Sequence, residues 1–325
     1  MSDFVRHNAQ LQIFNAETSW VILSDIEKSI KAKIERIGTP LKEWNINIYR
    51  GILTGCNEAF IIDEAKRNEI LSNCATKDER MRTDELIRPI LRGKDIKRYF
   101  YEWAQQYVIG TFPSRHYNIE NFPSVKDYLI KAEWRNGLPD KDDFKNLRDD
   151  GYGRQKLEQN GKTHILDGIT FNSRKRTNNK WFETQDQIGY WEDFSKPKIV
   201  WGEISDKTKF ALDENNGVFA EATTFIMTGM HLPYLVCYLN SSLSEYLFSK
   251  IGTTTGVGTV RWKKYTIERL TVPRITPQDE KIFIQLFISI KQGTKTEADI
   301  NRHIYAFCGL SQDEIAFIEN YSASI

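Results

Sequence analysis

The chain has 325 residues, with 45 Lys+Arg against 44 Asp+Glu and a formal charge of +1, a length that suits two domains or one large domain with helical arms. Apolar residues make up 40%, and eight Trp, fourteen Tyr and eighteen Phe supply enough aromatic mass for a packed core, which excludes global disorder. The even charge excludes a uniformly basic nucleic-acid coat but leaves room for a local basic face.

In chain order, Ser24 and Glu27 form an S-x-x-E capping box, and Ile26, Ile30, Ile34 and Ile37 recur at helical spacing. Gly38 and Pro40 stop that helix. Alternation at Ile46 and Ile48 predicts a strand that runs up to Tyr49. Phe60–Ile62 predicts a short strand after the glycine-flanked turn of GILTGCNEAFIID (Gly51 to Asp63). Residues 80–98 hold seven basic side chains against three acidic ones, and residues 133–150 lean acidic and read as an exposed excursion. Strand-like runs return at Lys198–Trp201, Phe219 and Thr223–Met227, and Leu232–Phe248 reads as helix after Pro233. Three C-terminal helices follow: one capped by Thr276 with Pro277 at its first position, one carrying Ile300, Ile304 and Phe307, and one opened by Ser311 and Glu314. Leu310 is placed to staple onto Ile315.

The motifs of enzymes return little. GxGxxG, the P-loop, GxSxG, HExxH and the HxE…CxxC pattern are absent from the sequence. So are the glycine loop and the Asn/Asp-Pro-Pro-aromatic motif of an amino-methyltransferase. Gly256-Val257-Gly258 is a bare GxG that reads as a turn. Pro139-Asp140 lacks the Asp/Glu-x-Lys that a metal-dependent nuclease places close behind it. His7, His116, His164, His231 and His303 are scattered singly and read as surface or packing residues. Cys56, Cys74, Cys237 and Cys308 lie far apart without a CxxC pair, so isolated thiols are expected rather than a zinc site or a disulfide. The polar start MSDFVRHNAQ and the lack of an apolar run near about 18–20 residues lead us to expect a reduced, soluble, cytoplasmic protein.

Two segments carry cations and no acid. Residues 172–182 contain Arg174, Lys175, Arg176 and Lys180, and residues 249–264 contain Lys250, Arg261, Lys263 and Lys264 beside Thr253, Thr254 and Thr255. Lys and Arg neutralise phosphates, while Asn, Thr and Arg read base edges. A solvated loop on a neutral protein explains the same composition equally well. Trp181 and Trp262 sit beside these cations and suit core packing better than stacking on bases. Thr54 and Asn57, in the glycine-flanked turn, are further candidate contacts, or else a turn that caps its own backbone.

The strings GILTGCNEAFIID and LIRPILRGKDIKRY (Leu86 to Tyr99) resemble the target-recognition region of type IIG and Eco57-like restriction–modification proteins, the TaqI-like C-terminal specificity domain. The likeness continues through RKRTNNKWFETQDQIGYWEDFSKPKIVWGEIS, YLVCYLNSSLSEYLF, RLTVPRITPQDEKIF and INRHIYAFCGLSQDEIAFIE, from about Trp20 to Glu319. The resemblance implies a reader of double-stranded DNA sequence that follows an adenine-N6 methyltransferase domain, sometimes with a nuclease before it. S-adenosylmethionine and Mg are then expected on that catalytic partner, with no cofactor, metal or catalytic residue in this chain. The expected fold is α+β: a helical lead-in over residues 1–44, a mixed twisted sheet as target-recognition core over 45–275, and C-terminal helices over 276–325. The readings left open beside it are a nuclease with an unrecognised site and a protein-interaction adaptor.

Overall fold

The computed structural model describes residues 23–132, 134, 151–166, 168–214, 217–254 and 260–323. The fold is α+β, built around two four-stranded sheets. In the first, all neighbours are antiparallel and the order is Phe210–Asp213, Lys198–Gly202, Thr224–Gly229, Ile46–Arg50. In the second the order is Phe219–Ala220, Ile87–Leu91, Gln106–Ile109, Ile61–Asp63, with a parallel first pair and antiparallel others.

Strand alternation decides which face each residue buries. Ile199, Trp201, Phe225 and Met227 join a core with the helix Asp25–Ile37, the helices Leu232–Leu239 and Ser242–Ser249, and the C-terminal helices. Val200 and Ile226, between them in sequence, enter a second core against Ile61, Ile90 and Val108 of the other sheet. Ile62, Tyr107 and Ile109 face the opposite way, onto a third core with the helix Pro123–Lys131 and Tyr152. The layers therefore run helix, sheet, sheet, helix.

The sheets meet where the chain leaves Ile46–Arg50. Gly51 N–H donates to Thr224 O at 2.8 Å and Ile52 N–H to Ala220 O at 2.7 Å, so one stretch of backbone serves both sheets. A Cβ on Gly51 would stand 2.0 Å from Glu221 O, which leaves glycine as the residue that fits.

Local expectations are met in part. The capping box at Ser24–Glu27 forms as read, Thr276 caps its helix as read with Asp279 closing a box on it, and Glu314 accepts from Ser311 N–H at 2.7 Å. The run before Asp63 is shifted: Asn57–Phe60 is a helical turn and the strand is Ile61–Asp63. The apolar stretch after Pro233 is two helices rather than one, broken at Asn240-Ser241. Asn240 is anchored at the break, its side chain accepting from Phe210 N–H at 3.0 Å and donating to Phe210 O at 2.8 Å, and Ser241 caps the second helix, its Oγ accepting from Ser244 N–H at 3.1 Å. The acidic stretch of residues 135–150 and the Gly256-Val257-Gly258 turn lie outside the described residues. Among the described residues no helix is long and apolar enough to cross a membrane.

Candidate nucleic-acid interface

The two acid-free segments occupy different surroundings. Arg174 is buried, and its guanidinium is spent inside the protein. Nε and Nη2 donate to Leu157 O at 2.9 and 2.8 Å, Nη2 to Trp181 O at 2.6 Å and Nη1 to Thr54 O at 2.7 Å. Its Cζ lies 5.1 Å from the Phe60 ring centre. Burial pulls its pKa down to about 10. The expectation of a DNA-contacting Arg174 is therefore corrected: the side chain is an internal clamp, out of a ligand's reach.

Thr54 is corrected in the same way. It is fully buried; its hydroxyl donates to Asn57 Oδ1 at 2.6 Å and accepts from Cys56 N–H at 3.1 Å. Asn57 is exposed, and its amide donates to Glu221 Oε1 at 2.7 Å. Lys175, Arg176 and Lys180 are exposed, and Lys180 reaches Tyr117 O at 3.5 Å. Trp181 and Trp262 are both buried, Trp262 stacked on Phe248 with ring centres 3.9 Å apart.

In the second segment, Thr253–Thr254 pairs with Val260–Arg261, which pairs in turn with Ile204–Ser205. Thr254 is placed by its backbone alone, and Thr255 lies outside the described residues. The register sets Arg261 opposite Ile204, next to Glu203. Arg261 Nη1 is 3.5 Å and Lys263 Nζ 3.9 Å from Glu203 Oε1. Lys264 Nζ donates to Ile48 O at 2.9 Å and lies 3.7 Å from Glu268. The segment lacks acids in sequence but not in space. The cations of the two segments suggest one shared DNA cleft, but Arg174 is buried and the fold does not build such a cleft with it.

What it builds is a groove of about 930 Å³ beside this small sheet. One wall is the turn Arg92, Gly93, Lys94 with Ile96 and Lys97; the other is Gly202 to Asp206 with Lys209, and Glu221 and Thr223 close the end. Gly93 and Gly202 face one another, and a Cβ on Gly202 would come within 3.5 Å of Gly93 Cα. Both glycines are half-buried. Asp95 accepts from Arg92 N–H at 2.8 Å and fixes the turn, while Arg92 Nη2 donates to Gln106 at 3.2 Å. Lys209 sits 2.7 Å from Asp206 and Lys97 3.6 Å from Glu102. Among the described residues Lys94 has no ion-pair partner. Arg92, Lys94, Lys97 and Lys209 were not singled out from the sequence. The signal for three of them was the basic excess over residues 80–98, which the helix Lys77–Leu86 diluted with surface charge.

No curated protein matches the sequence. Solved structures similar to it include the type IIG restriction endonuclease BpuSI, at 13% identity and a TM-score of 0.46 over 81% of this chain and 28% of that one. Another is the type IIL restriction–modification enzyme MmeI in complex with DNA, at 10% identity and 0.49 over 87% and 36%. The chain thus spans 28% and 36% of the lengths of these two proteins. A family model described as the TaqI-like C-terminal specificity domain matches residues 88–272, more than half of the chain, and takes in both walls of the groove. The chain belongs to the family of TaqI-like C-terminal specificity domains.

Proposed function

We propose that the chain is the DNA target-recognition module of a restriction–modification system, directing an adenine-N6 methyltransferase and/or an endonuclease carried on another domain or chain. The observation that carries this reading is the coincidence of the family match with the groove. Arg92, Lys94, Lys97 and Lys209 line the groove, Arg261 and Lys263 lie 3.5 and 3.9 Å from Glu203 of its lining, and all six fall within residues 88–272. Lysine and arginine at the rim neutralise phosphates and fix register, while polar groups meet base edges. Glu203, shared by Arg261 and Lys263, holds both cations in place until phosphate competes for them. S-adenosylmethionine and Mg belong, in this reading, to the catalytic partner.

The test is duplex binding by the full chain across a salt series, with selection from a duplex pool of randomised centre. A linear fall of log affinity with log salt and an enriched motif support the reading. Salt-independent binding with no enriched motif defeats it. The chain alone, given methyl donor, magnesium and duplex, is expected neither to methylate nor to cut; specific product that survives contaminant removal would overturn the assignment of chemistry to a partner.

A further inference from the structure

The hairpin Thr163–Leu166 and Ile169–Asn172 is a two-stranded antiparallel ribbon with two unlike faces, pairing Thr163 with Asn172, His164 with Phe171 and Ile165 with Thr170. Phe171 packs 4.6 Å from Tyr152 and stacks on His164 at 5.5 Å, and Leu166 lies against the same core. That face is spoken for. The other presents Thr163, Ile165, Thr170 and Asn172, all exposed, with Ile165 at 73% the most exposed of the protein's large apolar side chains among the described residues.

An exposed Ile on a ribbon face otherwise made of Thr and Asn is an odd choice for water and a suitable one for a base-pair edge. Asn matches the N6/N7 edge of adenine, Thr serves either donor or acceptor, and an aliphatic side chain meets the thymine methyl. Asn172 Oδ1 accepts from Thr163 Oγ1 at 2.9 Å, which occupies the carboxamide oxygen and leaves the NH₂ of this exposed residue as the group it has to donate. Strands of four residues reach about 13 Å at 3.3 Å per residue, against a major groove about 12 Å wide and 8.5 Å deep.

Charge selects the occupant. Residues 154–180 contain seven Lys+Arg against two acids. With Arg174 turned inward, Lys162, Lys175 and Arg176 stand exposed at the ribbon's root. Lys156 Nζ donates to Asn172 O at 2.9 Å, tying the root down. The root also connects to the groove: Arg174 holds Thr54, Thr54 holds Asn57, and Asn57 holds Glu221 in the groove's end wall.

We infer that this ribbon enters the major groove of duplex DNA and reads bases with Asn172, Ile165 and Thr170, while Lys162, Lys175 and Arg176 grip the flanking phosphates. The inference rests on the target-recognition reading and adds to it the element that reads.

The experiment uses the full chain, a duplex pool of randomised centre and, from it, the enriched duplex. Asn172→Ala and Ile165→Ala should each make the enriched motif degenerate at one position. Affinity for the enriched duplex should fall about 5- to 150-fold, with affinity for a scrambled duplex unchanged. Dimethyl sulfate footprinting of the wild type should show protection at guanine N7, in the major groove, within the enriched site. Joint replacement of Lys175 and Arg176 by Ala should weaken all duplexes alike and leave the motif intact. Circular dichroism melts of these surface variants should match the wild type. If the variants enrich the wild-type motif with wild-type affinity, or if protection falls on adenine N3 in the minor groove, the ribbon is not the reader although the chain still is. If the wild type enriches nothing and binds duplex without salt dependence, the underlying reading fails, and the ribbon with it.

Discussion

Arg174 Nη1 donates to the carbonyl oxygen of Thr54 at 2.7 Å, joining positions 120 residues apart in sequence. With Leu157 O and Trp181 O also on the same guanidinium, three chain segments converge on one planar fork. Lysine carries the same charge but one nitrogen, so it cannot span three carbonyl oxygens set around a plane. Each buried carbonyl left without a donor costs about 1–3 kcal/mol. Arg174→Lys is therefore expected to lower unfolding free energy by about 3 kcal/mol or more, read from urea midpoints. Duplex affinity measured where the variant is still folded should stay within twofold of the wild type. A Lys variant with wild-type stability and a flattened salt slope would return Arg174 to the surface role its sequence neighbours suggested.

That reversal shows what the sequence carries and what it does not. Helix caps are local, so Ser24–Glu27 and Thr276–Asp279 could be read directly. The strand at Ile46–Arg50 announced itself by alternation. Charge neutralisation is not local. Glu203 reaches Arg261 because strand register sets Ile204 opposite Arg261, across more than fifty intervening residues. Arg174 and Arg176 look alike in a window of eleven residues, and only the cavity between Phe60, Leu157 and Trp181 distinguishes them. The break at Asn240-Ser241 was hidden for a related reason, since the flanking helices are both apolar and Phe210 anchors the Asn240 side chain from a distant strand.

Gly51 tests the junction of the two sheets. The atoms a Cβ would meet, Glu221 O at 2.0 Å, Glu221 C at 2.5 Å and Ala220 O at 2.6 Å, are all backbone and cannot swing aside. Gly51→Ala should cost about 2–3 kcal/mol through forced backbone shifts. Two controls separate sterics from conformation. Gly168→Ala has open space but a φ of +79° and should cost about 1–2 kcal/mol. Gly189→Ala meets nothing within 4 Å and has no left-handed φ, and should stay within about 0.5 kcal/mol of wild type. Denaturant midpoints in that order check the argument; equal effects at Gly51 and Gly189 would contradict it.

Acid should loosen the join between the first and last described helices. Glu314 accepts from Lys33 Nζ, Ser29 Oγ and Ser311 N–H, each at 2.7 Å. Burial by itself would raise its pKa, but these donors and the Lys33 charge outweigh it and bring the carboxyl down to about 2. A carboxyl depressed on folding contributes stability that is full above its unfolded pKa, about 4.3, and is lost as pH falls toward the folded value. Wild type should therefore lose stability between about pH 5 and pH 2, part of it from this residue. Glu314→Gln should be less stable than wild type at pH 7 by about 1–3 kcal/mol and show a shallower loss across that window. Parallel stability–pH curves for the two proteins would remove Glu314 as a contributor.

The groove and the flanking cations make different demands on salt. Each phosphate neutralised contributes about 0.9 to the slope of log affinity against log salt. Lys94 stands on the groove wall with no ion-pair partner among the described residues, so nothing must be broken before it meets phosphate. Lys94→Ala should flatten the slope by about 0.9 with little change in melting temperature. Lys264 is already held, by Ile48 O at 2.9 Å and Glu268 at 3.7 Å, and a phosphate would have to replace both contacts. Lys264→Ala should leave the slope near wild type and lower stability by about 0.5–1.5 kcal/mol instead. Lys263 is intermediate, since its partner Glu203 lies at 3.9 Å and is shared with Arg261. Glu203→Gln frees both cations and should raise duplex affinity at low salt while steepening the slope. A titration of the three variants and the wild type on one duplex decides the matter. If Lys264→Ala flattens the slope as much as Lys94→Ala, DNA lies along the small sheet as well as in the groove. If Lys94→Ala leaves the slope untouched, the groove does not hold phosphate at all.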